Sequence, residues 1–365
     1  FKAADVVVDD CLVGMQFEGG GRRISILRPL GKSAEEGSSP TLLTGTQVMD
    51  DFLAFTGVLK NTAGYPNGAS PYDLINFDDV KVRDGYTANS LTGIKITADA
   101  SITYDNFDVD GLTGGSLDPV PSASSFGVRV MDDTASLTGT YVKKLVCKNI
   151  DWTAKAGAGS TCFNFNTTGT VEDWTLRNCG YQNLWSGSLS PILINSTGTI
   201  KRLLVDGVKW TDNATATNGK QFISQTAAST IENLIVANFD ITFQSSAGVA
   251  YAIYHGVSTS IVLNLTLKDG KARGNAASIG ALYRMIGRID DITIDNVNSN
   301  ETTNTLQFIG IHSRTGGGYT SHIRLKNCRL KTLAGFGNSG AALGSAIINI
   351  LMSGNVYTSS GSSNF

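Results

Sequence analysis

The stretch Val142–Trp152, with the sequence VKKLVCKNIDW, contains the pattern that decides the fold. Apolar residues alternate with other residues on both sides of Asn149, which is the period of two that β-strands have. Seven later stretches repeat this pattern, each with a turn-forming residue in the place of Asn149: Asn178, Gly207, Asn238, Asp269, Asn296, Asn327 and Gly354. The eight stretches start between Val142 and Ile347, so the period is about 29 residues, and a fixed period of this size indicates a solenoid.

The turn-forming residues predict one backbone conformation. Asparagine and glycine tolerate left-handed backbone angles best, and aspartate is a weaker member of the same class. A third strand is predicted before most repeats, for example at residues 163–165 and 192–194. Three short strands per turn with one tight corner describe a parallel β-helix. In such a stack we expect the corner asparagines to share side-chain hydrogen bonds from turn to turn.

These coils with an asparagine corner resemble the right-handed parallel β-helix of the pectate-lyase-like superfamily, well over residues 77–357 and poorly over residues 1–76. The resemblance implies an all-β, right-handed, single-stranded parallel β-helix of about eleven coils. We expect one domain over residues 1–365, as a fragment of a longer chain, with loop excursions around residues 28–76 and 110–125. Within the first excursion, residues 48–59 are predicted to form a short helix or an apolar strand. The superfamily includes lyases, hydrolases, epimerases and non-enzymatic spikes, so the fold alone does not define the function.

Composition excludes several classes of protein. The net charge of −2 does not indicate a basic surface for binding nucleic acid. No apolar run approaches the ~18 residues of a membrane span. Metal-spacing motifs, phosphate loops and nucleophile elbows are absent from the sequence, so no cofactor and no metal are predicted. The five cysteines are odd in number and scattered, which favours buried free thiols and folding in a reducing cytosol. They are Cys11, Cys147, Cys162, Cys179 and Cys328.

One column of outward residues begins each repeat, directly after the first apolar residue. In the first four repeats its members alternate in charge: Lys143-Lys144, Glu172-Asp173, Lys201-Arg202 and Glu232-Asn233. Successive turns lie roughly 4.8 Å apart. The alternation therefore predicts a ladder of ion pairs between turns on a solvated face.

Asp290 and Asp291 differ from the other acids of this column, because their neighbours there, Leu263-Asn264 and Ser321-His322, include no lysine or arginine. Crowded carboxylates without a cationic partner have raised pKa values, which a general acid needs. His255 and Arg284 end strands of nearby turns. Asp290, Asp291, His255 and Arg284 are therefore the predicted catalytic residues, although an Asp-Asp pair can also cap a turn and histidines can cluster by chance.

Polar and aromatic residues at the same strand ends predict a groove for a sugar polymer. Carboxylates act as acid and base on a glycosidic bond, and aromatic rings stack on sugar rings. The predicted substrate-binding residues are Asn166, Asn195, Gln225, Tyr254, Tyr283 and His312. The motifs of polygalacturonases match only at Asp290-Asp291, and the calcium-binding carboxylates of pectate lyases have no counterpart.

Within the superfamily the chain resembles bacteriophage tailspikes most, through its serine-, threonine- and asparagine-rich coils and its predicted free cysteines. The resemblance implies a virion tail protein, folded in the host cytoplasm, that binds a bacterial surface polysaccharide (capsule or O-antigen). It also implies depolymerisation of that polymer by a glycoside hydrolase or a polysaccharide lyase. Two alternatives stay open: a non-catalytic fibre or adhesin, and a secreted polysaccharide lyase, which the free cysteines disfavour.

The strand before the corner carries outward apolar residues. Val146, Leu204 and Ile235 point outward in nearby turns, beside Ala237, with Thr175 as a polar interruption. A soluble monomer does not normally align apolar residues in this way. We therefore expect a parallel homotrimer, joined to other virion tail proteins through a preceding N-terminal part, or else a long loop over the patch.

Overall fold

A computed structural model describes residues 1–9, 13–18, 21–32, 49–57, 76–88, 90–98, 103–116, 124–132, 139–154, 160–183, 190–211, 220–243, 250–274, 280–299, 306–311, 320–330, 336–338 and 347–357. All the regular secondary structure in these residues is β-strand. No helix in this part of the chain is long and apolar enough to cross a membrane.

The strands fall into an N-terminal, a central and a C-terminal group. The N-terminal strands are β1 (Lys2–Ala4), β2 (Val7–Asp9), β3 (Val13–Glu18), β4 (Gly21–Arg22), β5 (Ser25–Leu27), β6 (Leu30–Lys32), β7 (Met49–Gly57), β8 (Phe77–Asp78), β9 (Val80–Arg83), β10 (Tyr86–Ala88), β11 (Ser90–Ala98), β12 (Thr103–Tyr104), β13 (Phe107–Asp110), β14 (Thr113–Ser116) and β15 (Phe126–Asp132). The central strands are β16 (Tyr141–Lys148), β17 (Asp151–Ala154), β18 (Thr161–Asn166), β19 (Thr170–Arg177), β20 (Gly180–Asn183), β21 (Ile192–Ile194), β22 (Thr199–Asp206), β23 (Lys209–Thr211), β24 (Lys220–Gln225), β25 (Thr230–Ala237), β26 (Asp240–Phe243), β27 (Ala250–His255), β28 (Ile261–Gly274), β29 (Gly280–Met285) and β30 (Arg288–Asn298). The C-terminal strands are β31 (Leu306–Ile311), β32 (Thr320–Lys326), β33 (Arg329–Leu330), β34 (Phe336–Asn338), β35 (Ile347–Ser353) and β36 (Val356–Tyr357).

The strands pair in parallel and stack turn upon turn into a β-solenoid. One sheet has 25 strands and includes the long strand and the post-corner strand of each turn, and the other has 11 strands. Leu145, Trp174 and Leu203 are partners in successive turns, so the repeats stack in the register that the sequence pattern predicts. The prediction of an all-β parallel coil is therefore confirmed.

The predicted number of turns is wrong, since the structure supports about six turns and not eleven coils. Regular turns begin with strands of eight residues or more, which are β16, β19, β22, β25, β28 and β30. Toward both ends of the chain the corresponding strands are shorter or split, as in β12 and β13. Their sequences carry fewer of the alternating apolar positions that define the repeat.

The corners adopt the predicted left-handed conformation. Asn149, Asn178, Asn238, Asn296 and Asn327 have φ angles between 50° and 53°. The other turn-forming residues share it, with φ of 53° at Asp269, 70° at Gly207 and 65° at Gly354. Five of these corners also donate a backbone bond to the next turn, for example from Asn178 N to Asp206 O at 2.9 Å.

The side-chain partners of the corner asparagines differ from the prediction. Four of the five amides donate to aspartates of the preceding turn and not to another corner asparagine. The pairs are Asn149 with Asp110 (2.6 Å), Asn238 with Asp206 (2.8 Å), Asn296 with Asp269 (2.9 Å) and Asn327 with Asp295 (3.1 Å). A carboxylate accepts more strongly than an amide oxygen, so these bonds are charge-assisted.

The core is one continuous stack of inward side chains. Trp174, Leu203, Leu234 and Leu265 follow one another in register and are each at most 1% exposed. Four cysteines contribute to this core as free thiols, as predicted, and they are Cys147, Cys162, Cys179 and Cys328. Burial raises the pKa of the Cys179 thiol to about 12, so the group stays protonated at neutral pH. Cys11 lies outside the described residues.

Parts of the predicted loop excursions belong to the solenoid. Within residues 48–59, where a helix or a strand was predicted, the chain forms the strand β7, which pairs with β3 and β11. In the second excursion β14 pairs with β10 and β17. Residues 33–48, 58–75 and 117–123 lie outside the described part.

The corner at Asn238 offers a test of what this conformation contributes. Asn238→Ala places a residue with a Cβ and no polar group at φ 50° and removes the bond to Asp206. We expect a loss of about 1–2 kcal/mol in the free energy of unfolding, measured by urea denaturation.

Asn238→Gly is the matched control, because glycine tolerates the left-handed conformation and already occupies the corner at Gly207. Asn238→Gly should lower the free energy of unfolding by less than Asn238→Ala does. Equal losses for the two variants would show that backbone strain does not account for the preference.

Candidate functional site

The alternating charges at the start of the repeats form part of the predicted ladder. Lys201 Nζ lies 2.6 Å from Glu172 Oε1, and Arg202 Nη1 lies 2.7 Å from Asp173 Oδ1. The Tyr141 hydroxyl donates to the same Glu172 oxygen at 2.6 Å. The predicted pairing between turns is thus confirmed for Glu172 and Asp173. It is wrong for the rest of the column, because Lys143 pairs with Asp105 and neither Lys144 nor Glu232 forms an ion pair with a described residue.

The premise behind the catalytic role of Asp290 and Asp291 is wrong, because both carboxylates have an arginine partner. Arg288 donates to Asp290 through Nε and Nη2, each at 2.8 Å. Arg324 Nη1 donates to Asp291 Oδ1 at 3.1 Å. Arg288 stands two residues before Asp290 on the same face of β30, and Arg324 reaches diagonally from the next turn. Neither arginine therefore belongs to the outward column that contains Asp290 and Asp291.

His255 lies in the core and not on the outer face, which corrects its predicted orientation. The side chain is 0% exposed, and its Nδ1 lies 2.9 Å from the hydroxyl of Tyr283, which is also 0% exposed. His255 follows Ile253 by two residues, so both point to the same side of β27. Buried side chains such as these do not contact a polymer on the outside of the solenoid.

Gln225 is likewise part of the interior. It is 2% exposed and stacks in register between Ile194 and His255. Its amide nitrogen Nε2 donates to the backbone oxygen and to the hydroxyl of Ser229, both at 2.9 Å. The side chain closes the bend that leads into β25, so its predicted contact with substrate is not supported by this placement.

The remaining predicted residues are spread along the 11-stranded sheet. Asn166 ends β18 and Tyr254 lies in β27, both half-buried, and the exposed Asn195 follows β21 and accepts a bond from Asn164 at 3.0 Å. The backbone of Arg284 pairs with that of Tyr254, and His312 lies outside the described residues. Asp290 and Asp291 belong to the other sheet, so the structure does not gather the ten predicted residues on one face.

A polar pocket lies elsewhere, at the corners of three successive turns. It has a volume of about 290 Å³ and is lined by Asp269, Gly270, Lys271, Asn296, Val297, Asn298, Asn327 and Arg329. These residues were not predicted as a site, because the predicted catalytic pair came from a different column, at the start of each repeat. The usable signal was a second outward column, two residues after each corner, in which Lys271, Asn298 and Arg329 are successive members.

In the part of the chain that the structure describes, no group of three or more histidine, cysteine, aspartate or glutamate side chains could hold a metal ion. The pocket contains amides, two cations and a single carboxylate, which is not a ligand set that Ca²⁺ or Zn²⁺ prefers. Its chemistry is that of hydrogen bonding and ion pairing.

Comparison of the chain with protein-family models, with curated proteins and with solved structures found no match. The structure shows a parallel β-solenoid, and these comparisons do not show membership of the pectate-lyase-like superfamily.

The ladder predicts a pH dependence at Glu172. The hydrogen bond from Lys201, and then that from Tyr141, lower the pKa of this carboxyl below its ordinary value of 4.5. The charged form therefore stabilises the fold above pH 4.5, and this contribution is lost as the pH falls through the lowered pKa. Glu172→Gln should lower Tm by a few degrees at most at pH 7, and by less as the pH falls below 4.5.

Glu232→Gln provides the control, measured by the same thermal melts. Glu232 stands in the same column two turns further on, and it forms no ion pair with a residue that the structure describes. We expect the Tm of Glu232→Gln to match that of the wild type both at pH 7 and below pH 4.5. A Glu172→Gln deficit that stays constant with pH would contradict the ion-pair explanation.

Proposed function

We propose that this solenoid binds a bacterial surface polysaccharide, as the receptor-binding part of a tailspike-like fibre. The observation that carries the proposal is the polar pocket at Asp269–Arg329, which is open to the outside of a rigid stack of turns. Pockets for small ligands start at about 300 Å³, close to the volume found here.

The pocket's residues suit sugar hydroxyls. Asn296, Asn298 and Asn327 carry amides that both donate and accept hydrogen bonds, as hydroxyls do. Asp269 adds an acceptor, and Lys271 and Arg329 add donors. Because the turns repeat at roughly 4.8 Å, the same kinds of group recur along the axis, which favours an extended polymer over a compact ligand.

The contacts of the residues first predicted as catalytic support a protein that binds the polysaccharide without cleaving it. The carboxylates of Asp290 and Asp291 contact Arg288 and Arg324, and His255 is in the core. These contacts support a structural role in this part of the chain. The non-catalytic fibre or adhesin is therefore preferred to a depolymerase with its acid and base at Asp290 and Asp291, whether hydrolase or lyase.

The virion setting, the right-handed coil and the kinship with pectate-lyase-like tailspikes belong to the same proposal. The free buried cysteines support folding in the host cytoplasm and disfavour a secreted lyase. Attachment to other tail proteins through a preceding segment remains part of what the resemblance implies.

A homotrimer is proposed from the outward column that contains Val146, Thr175, Leu204 and Ile235, which stack in register. Leu204 and Ile235 are half-buried within the chain itself and Val146 is 9% exposed. A neighbouring chain would remove the remaining apolar surface from water.

The binding proposal is tested with a panel of purified capsular and O-antigen polysaccharides. We expect saturable binding to at least one by isothermal titration calorimetry, weakened by Asn298→Ala and unchanged by Asn195→Ala, a control on the other sheet. The same mixtures should show neither new reducing ends nor absorbance from unsaturated products.

Absence of binding to every polymer in the panel would overturn the proposed function. New reducing ends that disappear in Asp290→Asn or Asp291→Asn would restore the catalytic assignment. New reducing ends together with absorbance would indicate a lyase, and reducing ends alone a hydrolase.

The trimer is tested by sedimentation velocity at micromolar concentration. We expect three times the monomer mass for the wild type and dissociation in the Leu204→Asp, Ile235→Asp double variant, because charges would be buried in the interface. Thr242→Asp, on a different strand, is the control and should remain trimeric. A monomer mass for the wild type would contradict the trimer.

A further inference from the structure

The pocket contains two cations and one carboxylate, that of Asp269, so its lining carries a net positive charge. Lys271 and Arg329 are both exposed, and neither forms an ion pair with a described residue. Several arginines of the same 25-stranded sheet are paired, namely Arg273 with Asp240, Arg288 with Asp290 and Arg324 with Asp291, whereas Lys209 and Lys268 also form no ion pair with a described residue. The pocket is therefore a place where positive charge faces solvent.

The acids nearest to these cations have other partners. Asp240 stands beside Lys271 in register, but both of its carboxylate oxygens contact Arg273. Asp269 accepts the amide of Asn296 at 2.9 Å, and Asp295 accepts the amide of Asn327 at 3.1 Å. Neither Asp269 nor Asp295 forms an ion pair with Lys271 or Arg329, so the two cations remain available to a ligand, with the carboxylate of Asp269 beside them.

The spacing of the cations is set by the sheet. Lys271 and Asn298 are partners on adjacent strands, and Asn298 and Arg329 are partners on the next pair. With roughly 4.8 Å between strands, the two cations stand about two strand spacings apart, with an amide between them. This is an elongated arrangement of cation, amide and cation along the axis of the solenoid.

We infer that this pocket binds an acidic saccharide, in which carboxylates pair with Lys271 and Arg329 while ring hydroxyls bond to Asn298. Arginine holds a carboxylate through two parallel hydrogen bonds and lysine through a point charge, and both bonds are charge-assisted. The inference rests on the proposed function and adds the chemical class of the polymer, a polysaccharide with uronic or similar carboxyl-bearing sugars.

The test uses the full chain and four acidic polymers: polygalacturonate, hyaluronan, alginate and polysialic acid. Each is compared with its carboxyl-reduced, uncharged form by calorimetry at low and at moderate salt. We expect at least one acidic polymer to bind tenfold or more tightly than its reduced form, and to bind more weakly as salt rises.

Variants locate the binding. Lys271→Gln and Arg329→Gln should each weaken the preferred polymer roughly tenfold, without changing Tm. Lys209→Gln is the matched control, since Lys209 is an exposed member of the same column outside this pocket. This variant should bind the polymer as tightly as the wild type does.

Three outcomes would overturn the inference: no binding to any of the four acidic polymers, equal binding to acidic and reduced forms, or equal weakening by Lys209→Gln. Binding of a neutral O-antigen that the pocket variants leave unchanged would reject the acidic-saccharide site and leave the proposed function standing. Failure of every polysaccharide, acidic or neutral, would reject both.

Discussion

Each regular turn of this protein depends on one residue held in the left-handed conformation, with φ between 50° and 70°. For most residues that conformation costs about 1–2 kcal/mol, and asparagine and glycine reduce the cost. The bend directs the chain from the long strand into the short strand that follows, and at five of the corners the backbone N–H bonds to the next turn. Because the corner recurs at the same place, every other position of the repeat stacks on its counterparts.

Stacking in register makes each outward position a column, and the electrostatics of the molecule follow from what each column contains. Where signs alternate, as at Glu172 and Lys201, the charges pair between turns and face solvent with little net field. Where a cation, an amide and a cation succeed one another, as at Lys271, Asn298 and Arg329, charge remains exposed beside a pocket. The same geometry therefore produces a stabilising ladder in one column and a candidate ligand site in another.

The sequence was a good guide to the solenoid and a poor guide to the site. Strand period, corner residues, buried cysteines and part of the ion-pair ladder depend on neighbours within one repeat or directly above it, and they were predicted. His255 and Gln225 could also have been placed, because Ile253 and Ile223 stand two residues earlier and mark the inward face of their strands. The arginines beside Asp290 and Asp291 were missed because long side chains reach along a strand and diagonally between turns, outside a single column.

By itself, the amino-acid sequence determined the parallel solenoid, the residues at its corners and the side of the chain that packs inward. These properties follow from local backbone preference and from a hydrophobic pattern repeated many times. The tertiary structure decided the partner of each charged side chain, the aspartates that receive the corner amides, and the position of the polar pocket. Those features depend on the register between turns of unequal length and on how far a flexible side chain extends, which a repeat pattern does not specify.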